Sequence, residues 1–377
     1  MSYITSIGTA NPRHRISQQT LANFMVKAMG LQNEDARKLH AVFRATGIET
    51  RHSVIGDYGR SSGFKFFPDN EFLEPFPSTR QRSELFKEQA LALSLAAINQ
   101  CLEKVPSLDK SDINHLIVVS CTGIYAPGLD IDIVKALNLK SSINRTCINF
   151  MGCYASFNAM KLADTICSNK KNEKVLIVCT ELCSIHFQKE NTEDNILANS
   201  LFADGSAALL MEAQPRRGLN LKPMNFHCDL MAEGEQDMAW AVGNLGFEMK
   251  LSVYVPKVIR NGIKKLTQSL LGKVAKDLSE VAYFAIHPGG KKILEAIEQE
   301  LNIDKGSNRH AYEVSRKYGN MSSPTVLFVL NEICKNLSNH DHGKNILGFA
   351  FGPGLTLESM LLQIEIRSDL ILPTQIL

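Results

Sequence analysis

Short aliphatic and β-branched runs alternate with amphipathic helical stretches along the whole chain, and this alternation restricts the fold to α/β layers. The apolar runs are Ile113 to Ser120, Thr146 to Phe150, Lys174 to Thr180, Val281 to Ile286 and Asn345 to Phe349. All are short enough for buried strands and too short for core helices. Their order repeats. In the first half a helix ends near Leu102, the strand Ile113 to Ser120 follows, Cys153 precedes a helix, and the strand Lys174 to Thr180 closes the set. In the second half the helix Val255 to Leu271 leads to the strand Val281 to Ile286, Asn320 precedes a helix, and Asn345 to Phe349 closes it. Cys121 and Cys153 are 32 positions apart, and His287 and Asn320 are 33 apart. A duplicated αβ core is expected, with halves 1–215 and 216–377 meeting at Gln214-Pro215-Arg216-Arg217-Gly218. Cys153, His287 and Asn320 then fall at the ends of core elements, where α/β folds place ligands.

The 377 residues, 44% hydrophobic and 21% charged, are enough for a sizeable core. Forty-one basic against 39 acidic residues, with no long basic run, argue against nucleic acid or an anionic membrane as partner. Residues 1–12 lack a charged segment followed by an apolar core, and no run reaches the roughly 18 apolar residues of a membrane span. A soluble cytoplasmic protein is expected, and nine scattered cysteines fit reduced thiols. The aperiodic segment Gly56 to Arg82 reads as a long surface loop. Its Phe64, Phe66, Phe67, Phe72 and Phe76 call for a packing partner, with a second subunit or an acyl tunnel mouth as candidates.

Cys153 stands in Gly152-Cys153-Tyr154-Ala155-Ser156 at a strand-to-helix turn. Gly152 permits the tight backbone there, and a sulfur at a helix N-terminus faces unpaired N–H groups that favour thiolate. A buried structural cysteine is the alternative. His287 ends an apolar strand in Ile286-His287-Pro288-Gly289-Gly290-Lys291, where imidazole can donate to a carbonyl oxygen or hold a thiolate. Asn320, in Gly319-Asn320-Met321-Ser322-Ser323-Pro324, offers an amide donor to a developing oxyanion, with a helix N-cap as the alternative.

Together with Gly8-Thr9-Ala10-Asn11-Pro12, Ser120-Cys121-Thr122-Gly123, Leu201-Phe202-Ala203-Asp204-Gly205-Ser206 and Gly348-Phe349-Ala350-Phe351-Gly352-Pro353-Gly354, these motifs resemble the type III polyketide synthases related to chalcone synthase. The resemblance covers nearly the whole chain and implies a homodimer of thiolase-like fold, a duplicated αβ core in an α-β-α-β-α arrangement. It implies that Cys153 accepts the starter acyl group from a CoA thioester and holds the growing chain. His287 and Asn320 resemble the pair that stabilises the enolate left by decarboxylation of malonyl-CoA. Phe202 resembles the aromatic residue beside the thiol, and Gly352, Pro353 and Gly354 the loop bordering the cavity. No metal and no cofactor beyond the CoA substrates is implied.

Other positions depart from the plant pattern. Met249 replaces a second phenylalanine, Trp240 sits near a glycine position, and Cys121 and His186 replace threonines lining the cavity. These replacements argue against a coumaroyl starter. They resemble bacterial relatives that use malonyl-CoA alone or route long alkyl chains along another tunnel; a fatty acyl starter and an alkylresorcinol or alkylpyrone product are expected, with a malonyl-only pentaketide as runner-up. For CoA, Lys38 matches one basic position, but Ala41 and Ala45 stand at its neighbours, with Arg44 nearby and Gly289 and Gly290 allowing close approach. An acyl carrier protein thioester is the alternative donor. Three rivals stand beside this reading: a 3-oxoacyl carrier-protein synthase III, a zinc module using Cys179, Cys183 and His186, and an inactive scaffold.

Overall fold

In the run Lys174–Leu182, Val175, Ile177 and Cys179 face one core cluster while Leu176, Val178 and Leu182 face another. A strand apolar on both faces needs cover on both, which puts this one inside a layered structure. The computed structural model describes residues 1–367; residues 368–377, at the end of the expected second half, lie outside the described residues.

The first half holds strands β1 (Tyr3–Ala10), β2 (His14–Ser17), β3 (Thr50–Ser53), β4 (His115–Ser120), β5 (Asn144–Asn149), β6 (Lys174–Leu182) and β7 (Asp204–Glu212). Its helices are α1 (Gln18–Ala28), α2 (Asn33–Ala45), α3 (Thr79–Glu103), α4 (Leu129–Leu137), α5 (Ala155–Asn169) and α6 (Glu193–Leu201). The second half holds β8 (Gly218–Leu230), β9 (Met238–Gly243), β10 (Gly246–Leu251), β11 (Val281–Ile286), β12 (Asn345–Gly352) and β13 (Thr356–Arg367). Its helices are α7 (Val255–Gly272), α8 (Lys291–Leu301), α9 (Arg309–Tyr318) and α10 (Thr325–Lys335).

Nine strands form a mixed sheet in the order β11-β12-β13-β8-β1-β7-β6-β4-β5. From the middle outward, β1-β7-β6-β4 and β8-β13-β12-β11 repeat one succession of antiparallel, antiparallel and parallel pairings. The duplication anticipated from element order is therefore present in the strand pairing. The two half-sheets join through a single pair, Ile4 opposite Leu221. Helices α5 and α10 share one core cluster, whereas α3 packs on β1, β7 and β6 from the side of the other. Helix α3 starts with a capping box in which Ser78 and Gln81 satisfy each other's backbone N–H groups. On the second half α7 packs on β13 and β8.

Two expectations are corrected. Thr146 to Phe150 is no buried strand: β5 is the sheet edge, hydrogen-bonded only to β4, and Asn144 to Cys147 and Asn149 are exposed. A short apolar run looks the same at an edge as at the centre, because its one-dimensional pattern does not record the number of neighbours. In the segment Gly56 to Arg82, Phe67 and Phe76 are buried against Phe24 and Phe187 of the same chain, while Phe72 is exposed at 64%. Among the described residues no helix is long and apolar enough to cross a membrane.

Candidate active site

The turn between β5 and α5 carries Cys153, and the second half of the chain presses directly on it. Gly152 has φ of 81°, and a β-carbon there would lie 2.5 Å from Pro353 Cδ. Only glycine satisfies both the backbone and the contact. Pro353 follows β12 and lines the cavity beside the thiol; Gly352 and Gly354 do not line it, and Gly352 packs under the Tyr154 ring.

Cys153, His287 and Asn320 face one cavity, together with Cys121, Phe202, Trp240, Met249 and Gly289. The chamber is tight, about 40 Å³, room for a few waters. Asn320 Oδ1 accepts from the backbone N–H of Ser322 at 2.8 Å, which orients the amide, and Nδ2 makes only a 3.5 Å contact to the Gly289 carbonyl. Its donor is thus nearly uncommitted. The N-cap alternative is not realised, since Pro324 occupies the N-cap of α10 and makes no side-chain cap bond. His287 is fixed by its backbone N–H, which donates to the Phe349 carbonyl at 2.8 Å. Its ring is 1% exposed, and neither ring nitrogen has a hydrogen-bond partner among the described residues. Buried polar atoms without partners mark a place where a ligand supplies them. Burial holds the imidazole pKa down to about 3, so the ring is neutral, with one N–H to donate and one lone pair to accept.

The thiolate expectation is corrected. Burial pushes the Cys153 thiol up to about 11, and the Glu181 carboxyl adds to this against hydrogen bonding from Ser322 and Asn320. At the start of α5, Ala155 N–H donates to Gly152 O and Phe157 N–H to Tyr154 O, and the backbone N–H of Cys153, which favours thiolate, does not offset burial. Burial thus favours the neutral form of both the Cys153 thiol and the His287 imidazole on the same chamber.

Glu181 was not anticipated, although a lone carboxylate directly after the apolar run Lys174 to Thr180, and inside the observed strand β6, is the kind of residue that needs partners. It is fully buried. Its Oε2 accepts from Cys121 N–H at 2.9 Å and Thr122 Oγ1 at 2.7 Å, and its Oε1 accepts from Ser323 Oγ at 2.6 Å. Burial raises its pKa. The carboxyl ties the end of β4 to the loop that carries Asn320, across the two halves of the chain.

His186 does not line the catalytic chamber. Its Nε2–H donates to Thr122 O at 2.7 Å, its Nδ1 accepts from Phe247 N–H at 3.0 Å, and its ring stacks on Phe247 at 4.1 Å. Both nitrogens are used, which leaves none for a metal; among the described residues no group of three or more His, Cys, Asp or Glu side chains is placed to hold one. His186 instead lines a second cavity of about 50 Å³ that extends to Ile16, Leu21, Met25 and Phe187. Cys183, Phe202, Trp240 and Met249 line both spaces and so form the wall between them. Trp240 is held there by its Nε1–H, which donates to Cys121 O at 3.0 Å.

A cleft of about 300 Å³ leads from the surface to Gly289 and carries Lys38, Gly290, Lys291 and Lys292. Gly289, Leu251 and Ile293 line both cleft and chamber, giving a route to Cys153. Arg44 is not among the lining residues and is exposed. Lys38, Val42 and Ala45 share the α2 face on the cleft at helical spacing, and position 44 falls off that face.

The chain matches two family models, the N-terminal domain of the chalcone and stilbene synthases over residues 1–215 and their C-terminal domain over residues 225–365. It belongs to the chalcone and stilbene synthase family. It is 30% identical to the alpha-pyrone synthesis polyketide synthase-like Pks18 of Mycobacterium tuberculosis over 97% of this chain and 91% of that protein. It is 31% identical to probable polyketide synthase 1 of Dictyostelium discoideum over 96% of this chain, and spans 11% of that protein's length. It superposes on the C-terminal type III polyketide synthase domain of Steely1, a type I/III hybrid from Dictyostelium, with a TM-score of 0.88 at 30% identity, covering 96% of this chain and 99% of that one. The protein is a type III polyketide synthase with the thiolase-like fold of that family.

Proposed function

We propose that the protein is an acyltransferase that loads a fatty acyl starter on Cys153, extends it with malonyl units and closes the poly-β-ketone to an alkylpyrone or alkylresorcinol. The observation that carries the fatty starter is the second cavity behind Phe202 and Trp240, whose lining joins the apolar Ile16, Leu21, Met25 and Phe187 to the polar Arg51, Gln188 and Asn195. Chamber and second cavity, about 40 and 50 Å³, are each too small for an extended chain, so this reading requires the wall of Phe202, Trp240 and Met249 to part when an alkyl chain enters. Pks18, named for alpha-pyrone synthesis, is in keeping with this product class.

Loading is a transthioesterification. The Cys153 sulfur bonds to the acyl carbonyl carbon, the bond to the CoA sulfur breaks, and the Cys153 proton passes to the departing CoA thiolate, with neutral His287 as the relay. Malonyl-CoA then loses carbon dioxide, and its thioester oxygen takes the enolate charge between the N–H of His287 and Nδ2 of Asn320. The enolate carbon attacks the Cys153 thioester and expels the thiolate, leaving a chain two carbons longer on CoA. Phe202, on the chamber wall, turns an apolar ring toward the malonyl carboxylate and favours its loss.

A homodimer belongs to the same reading. In its support, β5 leaves the outer edge of the sheet open and Ile124 is exposed at 52%. Open edges of this kind are covered in stable proteins. Sedimentation of the purified protein at the mass of one chain would remove this part of the proposal.

The test is incubation with malonyl-CoA, with and without fatty acyl-CoA, reading products and Cys153 adducts by mass spectrometry. Alkylpyrones or alkylresorcinols formed only with the fatty starter support the proposal; an aromatic pentaketide from malonyl-CoA alone overturns the starter assignment.

A further inference from the structure

Basic side chains at the cleft mouth continue beyond it along α7, while Glu295, Glu298 and Glu300 stand on the neighbouring α8. Lys38 and Lys291 are offset by Glu193 and Glu295 at 3.2 and 3.8 Å, whereas Lys292 has no ion-pair partner among the described residues. Beside the mouth, α7 runs from Val255 to Gly272 without a single acidic residue. Its Lys257, Arg260 and Lys264 are exposed and fall on one face at i, i+3 and i+7. Arg260 donates to the Gln299 side chain, and neither Lys257 nor Lys264 has an ion-pair partner among the described residues. The stripe extends about 10 Å along the helix axis, and none of its members lines the cleft. At its start Val253 and Tyr254 are exposed at 62% and 63%, two adjoining apolar side chains at the rim.

A CoA in the cleft would meet the lining lysines and Val253 and leave the α7 stripe and Tyr254 unused. A partner that covers both must be a macromolecule with an acidic face and a small apolar contact, and it must deliver a narrow thioester arm through the cleft. We propose that α7 and the segment before it form the docking surface for an acidic acyl carrier protein, which delivers the starter on its phosphopantetheine arm. This inference rests on the reading of Cys153 as the acyl acceptor. In the transfer, the Cys153 sulfur bonds to the acyl carbon, the bond to the pantetheine sulfur breaks, and the Cys153 proton goes to the pantetheine thiolate. Long-range attraction between stripe and carrier raises the encounter rate and weakens with salt.

The experiment compares loading of Cys153 from a fatty acyl group on an acidic bacterial-type acyl carrier protein with loading from the same group on CoA, read as acyl-enzyme by intact mass. It uses the full chain and a variant with Lys257→Glu, Arg260→Glu and Lys264→Glu. The expected result is a fall of about 10-fold or more in the carrier-dependent rate with loss of its salt dependence, while the CoA-dependent rate stays within about 2-fold. That unchanged CoA rate also shows that the variant is folded. Equal loss with both donors, no loss with either, or no loading from the carrier while CoA loads would overturn the docking proposal. Failure of both donors to acylate Cys153 in the unaltered protein overturns the acyl-acceptor reading itself, a separate outcome.

Discussion

Phe202 and Asn320, 118 positions apart, are joined by a parallel backbone bridge: Asn320 N–H donates to Leu201 O at 2.9 Å and Ala203 N–H donates to Asn320 O at 2.8 Å. The aromatic ring on the chamber wall and the Asn320 amide that lines the same chamber are thereby set by the same two hydrogen bonds. Arg51 Nη1 donates to Phe202 O at 2.6 Å and stiffens the clasp. Each half of the chain thus positions a group whose partner lies on the other half, which is why the site does not exist in either half alone.

Asn320→Ala removes one of the two donors proposed for the enolate while leaving the thiol in place. Malonyl-CoA decarboxylation should fall about 10²- to 10³-fold, with Cys153 acylation largely retained. Carbon dioxide release set against acyl-enzyme mass separates the two steps, and equal loss of both would contradict the assigned role.

Cys153 should behave as a buried thiol of high pKa. Its alkylation by iodoacetamide in the ligand-free protein should keep rising with pH through 9 and 10 toward its value of about 11. A rate that levels off near neutrality would show a resting thiolate.

Glu181→Gln removes a carboxylate that raises the thiol pKa and leaves an amide nitrogen where Oε1 or Oε2 accepts hydrogen bonds. A loss of roughly 1–3 kcal/mol is expected, since buried donors lose an acceptor. The alkylation profile of Cys153 should move to lower pH. Calorimetry and the same alkylation assay check both halves of this prediction; an unmoved profile would separate Glu181 from the thiol.

Trp240→Ala should join the chamber to the second cavity and lengthen the favoured starter or add an extension. Product masses from a series of acyl-CoA chain lengths report this directly. An unchanged product distribution would mean that Trp240 does not limit the space.

Acid should destabilise the protein through its buried histidines. His186 and His287 are held to about 3 by burial and titrate near 6.5 when unfolded. Below 6.5 the unfolded chain binds more protons than the folded one, so stability falls as pH drops from about 6.5 toward 3, by up to ~1.4 kcal/mol per pH unit for each ring. Denaturation midpoints of His287→Gln measured between pH 6 and 4 should show a shallower slope than those of the unaltered protein.

Local pattern along the chain is enough for the layered α/β class and the repeat of element order, and the motifs shared with the family put Cys153, His287 and Asn320 in one set. Strand periodicity, helix spacing and the Gly152 turn are local properties, written in neighbouring residues. Tertiary structure alone decided the rest. Burial depends on what packs over a residue, so it turned the anticipated thiolate into a thiol, the run Thr146 to Phe150 into an exposed edge, and His186 into a pinned wall residue. Arg44 left the cleft because helical phase, and not proximity in sequence, sets which side chains share a face. Glu181 became visible as the tie between β4, β6 and the Asn320 loop only once residues 60 and 142 positions away were in hydrogen-bond reach.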